Sequence, residues 1–139
     1  GETLIVGDET TVRVANLNHP GGCLGFRIEN NGAVLAYCTD TKHEEGTVEE
    51  VIVDLARDAD LLIHDSHFSI EARQMFPSWG HSSWLEACRA AGAANVKKLA
   101  LFHFAPDSGD EYLEEDMLPR AREVFPNTIL ACEGLELTL

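Results

Sequence analysis

Basic residues are scarce in this chain: 10 lysines and arginines stand against 24 aspartates and glutamates, giving a formal net charge of −14 over 139 residues. A polyphosphate backbone is gripped by clustered Lys and Arg, so this composition weighs against long nucleic acid as a partner. No apolar run approaches the ~20 residues that span a bilayer. The opening GETLIVGDETT has neither the basic start nor the apolar core of a secretion signal, so no membrane association is expected. The four cysteines, Cys23, Cys38, Cys88 and Cys132, form no CxxC, which excludes zinc fingers and dithiol redox motifs. Three of them sit in apolar surroundings (GGCLGF, LAYCTD, ILACEG), so free buried thiols in a reducing, cytoplasmic setting are expected. Also missing is any tight His-x-His cluster, and a metal site built from this chain is therefore only half furnished.

What is present suffices for one folded unit over residues 1–139. The hydrophobic content is 45%, and a chain of this length buries roughly two-thirds of its unfolded surface. Thr3–Val6 and Thr11–Leu17 read as strands. Cys23–Glu29 and Ala33–Cys38 are joined by Asn30-Asn31-Gly32, a hairpin signal. Thr47 with Glu50 predicts a capped helix over 48–58 that presents Val48, Val51, Ile52 and Leu55 on one face. Asp60–Asp65 (DLLIHD) is a buried strand. Ser82 caps a helix that Gly92 ends, and Lys98–Phe104 is a further strand. A long acidic helix covers 110–124, Thr128–Cys132 is a strand, and Leu135–Leu139 alternates like a terminal strand. The acid-rich runs HEEGTVEE and DSGDEYLEED read as solvated helix starts. A β-meander followed by β-α-β-α-β implies an α/β (layered α+β) architecture, a mixed sheet with helices on one face.

Chemistry-bearing side chains recur just past the hydrophobic runs, where an open sheet presents groups to a cleft. His19 sits at the NHPGG junction, pointing out of the sheet. Asp40 lies between Thr39 and Thr41, whose hydroxyls are placed to hold its orientation; an Asx turn is the competing reading. In His64-Asp65-Ser66-His67, His64 is in register with Leu62 and expected to be buried and hydrogen-bonded, with His67 grouped with it as structural, while Asp65 can orient a neighbouring imidazole. His81 begins a helix whose dipole disfavours its charged form, and Gly80 before it permits close approach of a substrate. His103 stands inside the apolar strand KLALFHF and must find a partner there. Imidazoles with a carboxylate suit Zn, Mn or Fe.

In order, NHPGGCLGFRIENNGAVLAYCTDT, DADLLIHDSHF and GHSSWLEACRAAGAANVKKLALFHFAPD resemble the C-terminal half of a metallo-β-lactamase-fold hydrolase, nearest to its ribonuclease Z and phosphodiesterase-like branch. The resemblance covers residues ~11 to 134 and implies half of an αββα sandwich. It implies metal ligands at His19, Asp40 and His103 for a two-ion Zn (or Mn) centre, with Asp40 bridging. It further implies His81 as an acid toward the leaving oxygen and Asp65 as the carboxylate that orients it.

The family's first metal-binding segment, H-x-H-x-D-H, has no counterpart in these residues. Weak metal binding and inactivity of this chain alone are therefore expected, with a homo-oligomer or the missing N-terminal half completing the centre. The expected activity is hydrolysis of phosphodiesters, a small phosphoester being favoured over long nucleic acid by the acidic composition. The alternative is a non-catalytic assembly or ligand-binding module that retains half of the fold. A thioester or lactamase-type hydrolase is disfavoured by the GHSS segment.

Overall fold

A computed structural model describes residues 2–7 and 9–139. Among these residues seven strands form one sheet in the order of the chain: β1 (Glu2–Val6), β2 (Thr10–Leu17), β3 (Cys23–Asn30), β4 (Ala33–Cys38), β5 (Leu61–Asp65), β6 (Leu99–Phe102) and β7 (Thr128–Leu130). The first four pair antiparallel and the last three join in parallel. β2, β4, β5 and β6 consequently all end on the same rim. The hairpin at Asn31-Gly32 turns as its sequence predicts, with φ of 49° and 83°, since both central positions of such a turn lie in the left-handed region.

Cross-strand pairing sorts the side chains onto two faces. Leu17, Gly25, Ala36, Cys38, Leu62, Leu99 and Leu101 face the helices, and most of them join Ile52, Leu55, Trp84, Ala87, Cys88 and Met117 in a single core. Gly25 is needed there for space: a Cβ would lie 2.8 Å from Leu17 and Leu55, which cross its backbone. The opposite face carries Val12, Val14, Phe26, Ile28, Leu35, Tyr37 and Ile63, apolar but only half-buried, because no described helix covers it. The helices thus lie on one face, as expected. The outer strand β1 leaves Leu4, Ile5 and Val6 exposed.

Several local expectations are corrected. Helix α1 spans Glu50–Ala56 and has no side-chain cap, because the Thr47 hydroxyl is engaged by the Glu44 carbonyl at 2.9 Å. A short helix α2 (Ile70–Met75), capped by Ser69, was not foreseen. Helix α3 (Trp84–Ala93) takes its capping box from Ser83 and Glu86 rather than Ser82. It runs through Gly92, and the chain turns at Asn95 with φ 55°. The expected 110–124 helix is a π-helical turn, Tyr112–Met117, running into α4 (Leu118–Val124). Pro119 cannot donate to the carbonyl four residues earlier, and the preceding turn widens. Nothing in 131–139 pairs as a strand among the described residues. All four cysteines are free, but Cys132 is exposed, whereas Cys38 and Cys88 are buried and their thiols are pushed up to about 12 by burial.

The core also holds a polar pair. His43 and His64 are buried, with near-parallel rings (9°) and Nε2 atoms 3.2 Å apart. His64 Nδ1 lies 2.7 Å from the Asp65 carbonyl, an acceptor only, so Nδ1 carries the hydrogen and Nε2 the lone pair. His43 Nδ1 accepts from the Glu49 N–H at 3.0 Å, at the start of α1, so its hydrogen is on Nε2 and is donated to His64. Burial, with His64 and Arg73 nearby, pushes His43 down to about 3 from 6.5, and burial also lowers His64.

This pair sets a pH dependence. Between about 6.5 and 3 the unfolded chain takes up a proton that folded His43 refuses, so stability is full above that window and falls as pH drops through it, by about 1.4 kcal/mol per unit. Urea titrations at stepped pH check this. The slope should be shallower in His43→Gln, and equal slopes in the two proteins would assign the loss to carboxylates instead.

Candidate metal centre

All five residues singled out from the sequence meet on the rim where β2, β4, β5 and β6 end. His19 follows β2, Asp40 follows β4, Asp65 ends β5, His81 precedes α3 and His103 follows β6. Asp65 is the buried node, with a side-chain exposure of 0%. Its carboxylate accepts from the backbone N–H groups of Thr41 (3.3 Å), His67 (3.1 Å) and Ser82 (3.2 Å), and from His81 Nδ1 at 2.9 Å. A buried carboxylate is tolerated when its lone pairs are met in this way.

The bond to Asp65 raises the pKa of His81, against an opposing effect of burial. The sequence reading, in which the helix dipole keeps His81 neutral, is corrected: Ser83 is the N-cap, His81 lies outside the helix, and the contact with Asp65 dominates. With Nδ1 engaged, Nε2 is the nitrogen left to the cleft.

Around this pair stand the candidate ligands. His103 Nε2 is 3.3 Å from Asp40 Oδ1, and His103 Nδ1, 3.8 Å from Asp65 Oδ2, is buried with no hydrogen-bond partner among the described residues. Asp40 and His103 both have left-handed backbones, φ 51° and 61°. His103 thereby leaves the strand that the sequence reading placed it in, and its ring turns toward Asp40. Such conformations persist where surrounding contacts over-determine them. Ligand atoms of His19, Asp40 and His81 lie within 4.8 Å of one another, as do those of His67, His81 and His103. Four imidazoles, two of them with an orphaned Nδ1 among the described residues (His67 and His103), and one carboxylate form a donor set that suits zinc or a similar ion.

Two supporting roles differ from expectation. Neither threonine hydroxyl bonds Asp40; Thr41 acts through its backbone, donating to Asp65 and accepting from the Ser82 hydroxyl at 2.7 Å. Gly80 makes room for His19, since a Cβ would fall 2.2 Å from its ring carbon and 2.6 Å from Nε2. His64 is buried and bonded as foreseen, but His67 is not its structural companion. Its ring stacks on His81 with centroids 4.5 Å apart and lies 5.8 Å from His103. The available signal was its position two residues after Asp65, where its N–H closes a turn onto that carboxylate.

Residues 2–104 match the model of the beta-lactamase superfamily domain. A curated relative, ribonuclease Z of Prochlorococcus marinus (strain NATL1A), is 38% identical over 110 residues, covering 78% of this chain and 33% of its own length. Among solved structures, the metallo-beta-lactamase fold protein YhfI from Bacillus subtilis superposes with a TM-score of 0.76 at 26% identity, over 94% of this chain and 49% of that one. The short form of human tRNase Z does so with a TM-score of 0.62 at 26% identity, over 75% and 39%. The chain spans about a third of the length of the curated relatives that it matches.

Two substitutions probe this geometry. Gly80→Ala should push the His19 ring aside and weaken Co²⁺ or Zn²⁺ binding by at least tenfold in calorimetry while the fold, read by circular dichroism, is kept. Asp65→Asn puts an amide NH₂ against backbone donors, and should destabilise the chain by about 2–4 kcal/mol and lower the His81 pKa in an NMR titration. An unmoved His81 titration would contradict the assigned contact.

Proposed function

The chain belongs to the beta-lactamase superfamily, and from that premise we propose that it carries one side of a metal-dependent phosphodiesterase centre. The observation that bears the reading is the 2.9 Å contact between buried Asp65 and His81, on the rim where His19, Asp40 and His103 follow their strands. His19, Asp40 and His103 would hold the ions. When bound, such ions lower the pKa of coordinated water toward ~7 and polarise phosphoryl oxygens.

The remaining steps belong to the chain's own residues. Asp65 fixes the His81 ring through Nδ1 and favours its protonated form, so Nε2 holds a proton for a departing oxygen. The relatives named ribonuclease Z move the substrate toward an RNA phosphodiester and away from the small phosphoester that the acidic composition favours. The described ligands do not close two coordination shells, so this chain is proposed to bind metal weakly and to need further ligands for turnover. A second copy or a segment that covers the open sheet face would supply them.

Metal content by plasma mass spectrometry, with mass by light scattering, tests the proposal. The expected result is less than one tightly held ion per chain. Two tightly held ions in a monomer would overturn the half-centre. In a preparation active on RNA, His81→Ala should lower kcat by about 10²–10⁴ without changing metal content. Loss of metal instead would make His81 a ligand.

A further inference from the structure

Beside the metal centre lies a second feature, a cavity of about 600 Å³ that begins at His67 and is walled by Phe68, Phe76 and Trp79 on one side and by the 105–109 loop on the other. The volume is that of a site for a small organic group. The three aromatic rings form a platform with one raised edge: Phe68 and Phe76 are near-parallel, centroids 5.9 Å apart at 16°, and Trp79 is tilted against both, 5.0 Å and 41° from Phe76 and 6.0 Å and 52° from Phe68. Phe68 is buried and pinned, its N–H donating to the Ser82 carbonyl at 3.1 Å and its carbonyl accepting from Trp84. Phe76 and Trp79 are instead 37% and 51% exposed, so apolar area whose burial would be favourable is left in water on a segment tied to the reaction centre.

Resting on the phosphodiesterase reading, we propose that this platform is a stacking subsite for a nucleobase of a nucleotide flanking the scissile bond. The described lining holds no lysine or arginine to pair with a phosphate, and Asp107 on its wall repels one while accepting from a base's exocyclic amine. The cavity opens on His67, whose ring lies on His81, so a base in it sits one residue from the imidazole that faces the bond. Stacking on aromatic faces tolerates any base and needs no net positive charge, which matches a strongly acidic chain.

Trp79 is exposed and Trp84 buried, so quenching of exposed tryptophan emission reports the site. Adenosine, uncharged and needing no metal, is the probe, with ribose as the baseless control. Saturable quenching by adenosine and none by ribose is expected. Phe76→Ala should weaken it about tenfold, while Met75→Ala, exposed next door and outside the cavity, should not. Equal effects of the two variants, equal response to ribose, or no saturable quenching would overturn the subsite. Metal uptake measured on the same samples separates the two readings. Adenosine binding with no Co²⁺ binding even at saturating concentrations of the ion keeps the subsite and removes the metal centre, and Co²⁺ binding without adenosine binding does the reverse.

Discussion

The arrangement of the rim depends on one buried carboxylate. Asp65 has no water to solvate it, and each oxygen is satisfied by a donor from a different stretch of chain: Thr41 after β4, His67 after β5, and His81 with Ser82 before α3. Three loops that would otherwise move independently are tied to one atom group. The energetic logic is asymmetric, since a buried charge left short of partners costs several kcal/mol, so the loops are held where the carboxylate needs them. The candidate ligands inherit their positions from this knot, because Asp40 is bonded in sequence to Thr41 and His103 packs against Asp65 and Asp40.

The His43–His64 pair extends the same constraint inward. His64 precedes Asp65 and is bonded to its carbonyl, while His43 belongs to the segment that follows Asp40 and satisfies a free N–H at the start of α1. Fixed tautomers on both rings make this link directional. The loop that carries Asp40 is thereby anchored at Thr41 and again at His43, which accounts for a left-handed aspartate being held at a strand end.

Much of this was legible in the sequence. The hairpin, the buried strands and the switch from meander to parallel units all follow from local patterns: Asn-Gly at φ-positive positions, short apolar runs, and helices between them. The five rim residues were legible because strand ends are defined by where hydrophobicity stops. What was hidden depended on competition for partners. Thr47 looked like a cap until Glu44 took its hydroxyl, and His81 looked dipole-controlled until Asp65 outweighed the helix. His67 and His43 were illegible for a related reason: nothing in a local window tells which imidazole turns inward to a buried partner and which turns to the cleft. The role of Gly80 rests on a ring sixty-one positions earlier, a distance no local pattern spans.

The strand order has a consequence for how the chain reaches this state. Every strand lies beside its immediate predecessor, so each new one adds to an edge already in place as the polypeptide lengthens. No strand must wait for a later segment to be inserted between itself and its neighbour. Pairings between nearest elements keep loop-closure costs low and favour rapid assembly. The rim groups are laid out in that same order, His19 after β2, Asp40 after β4, Asp65 at the end of β5 and His103 after β6, so the cleft too is built from neighbours in the chain.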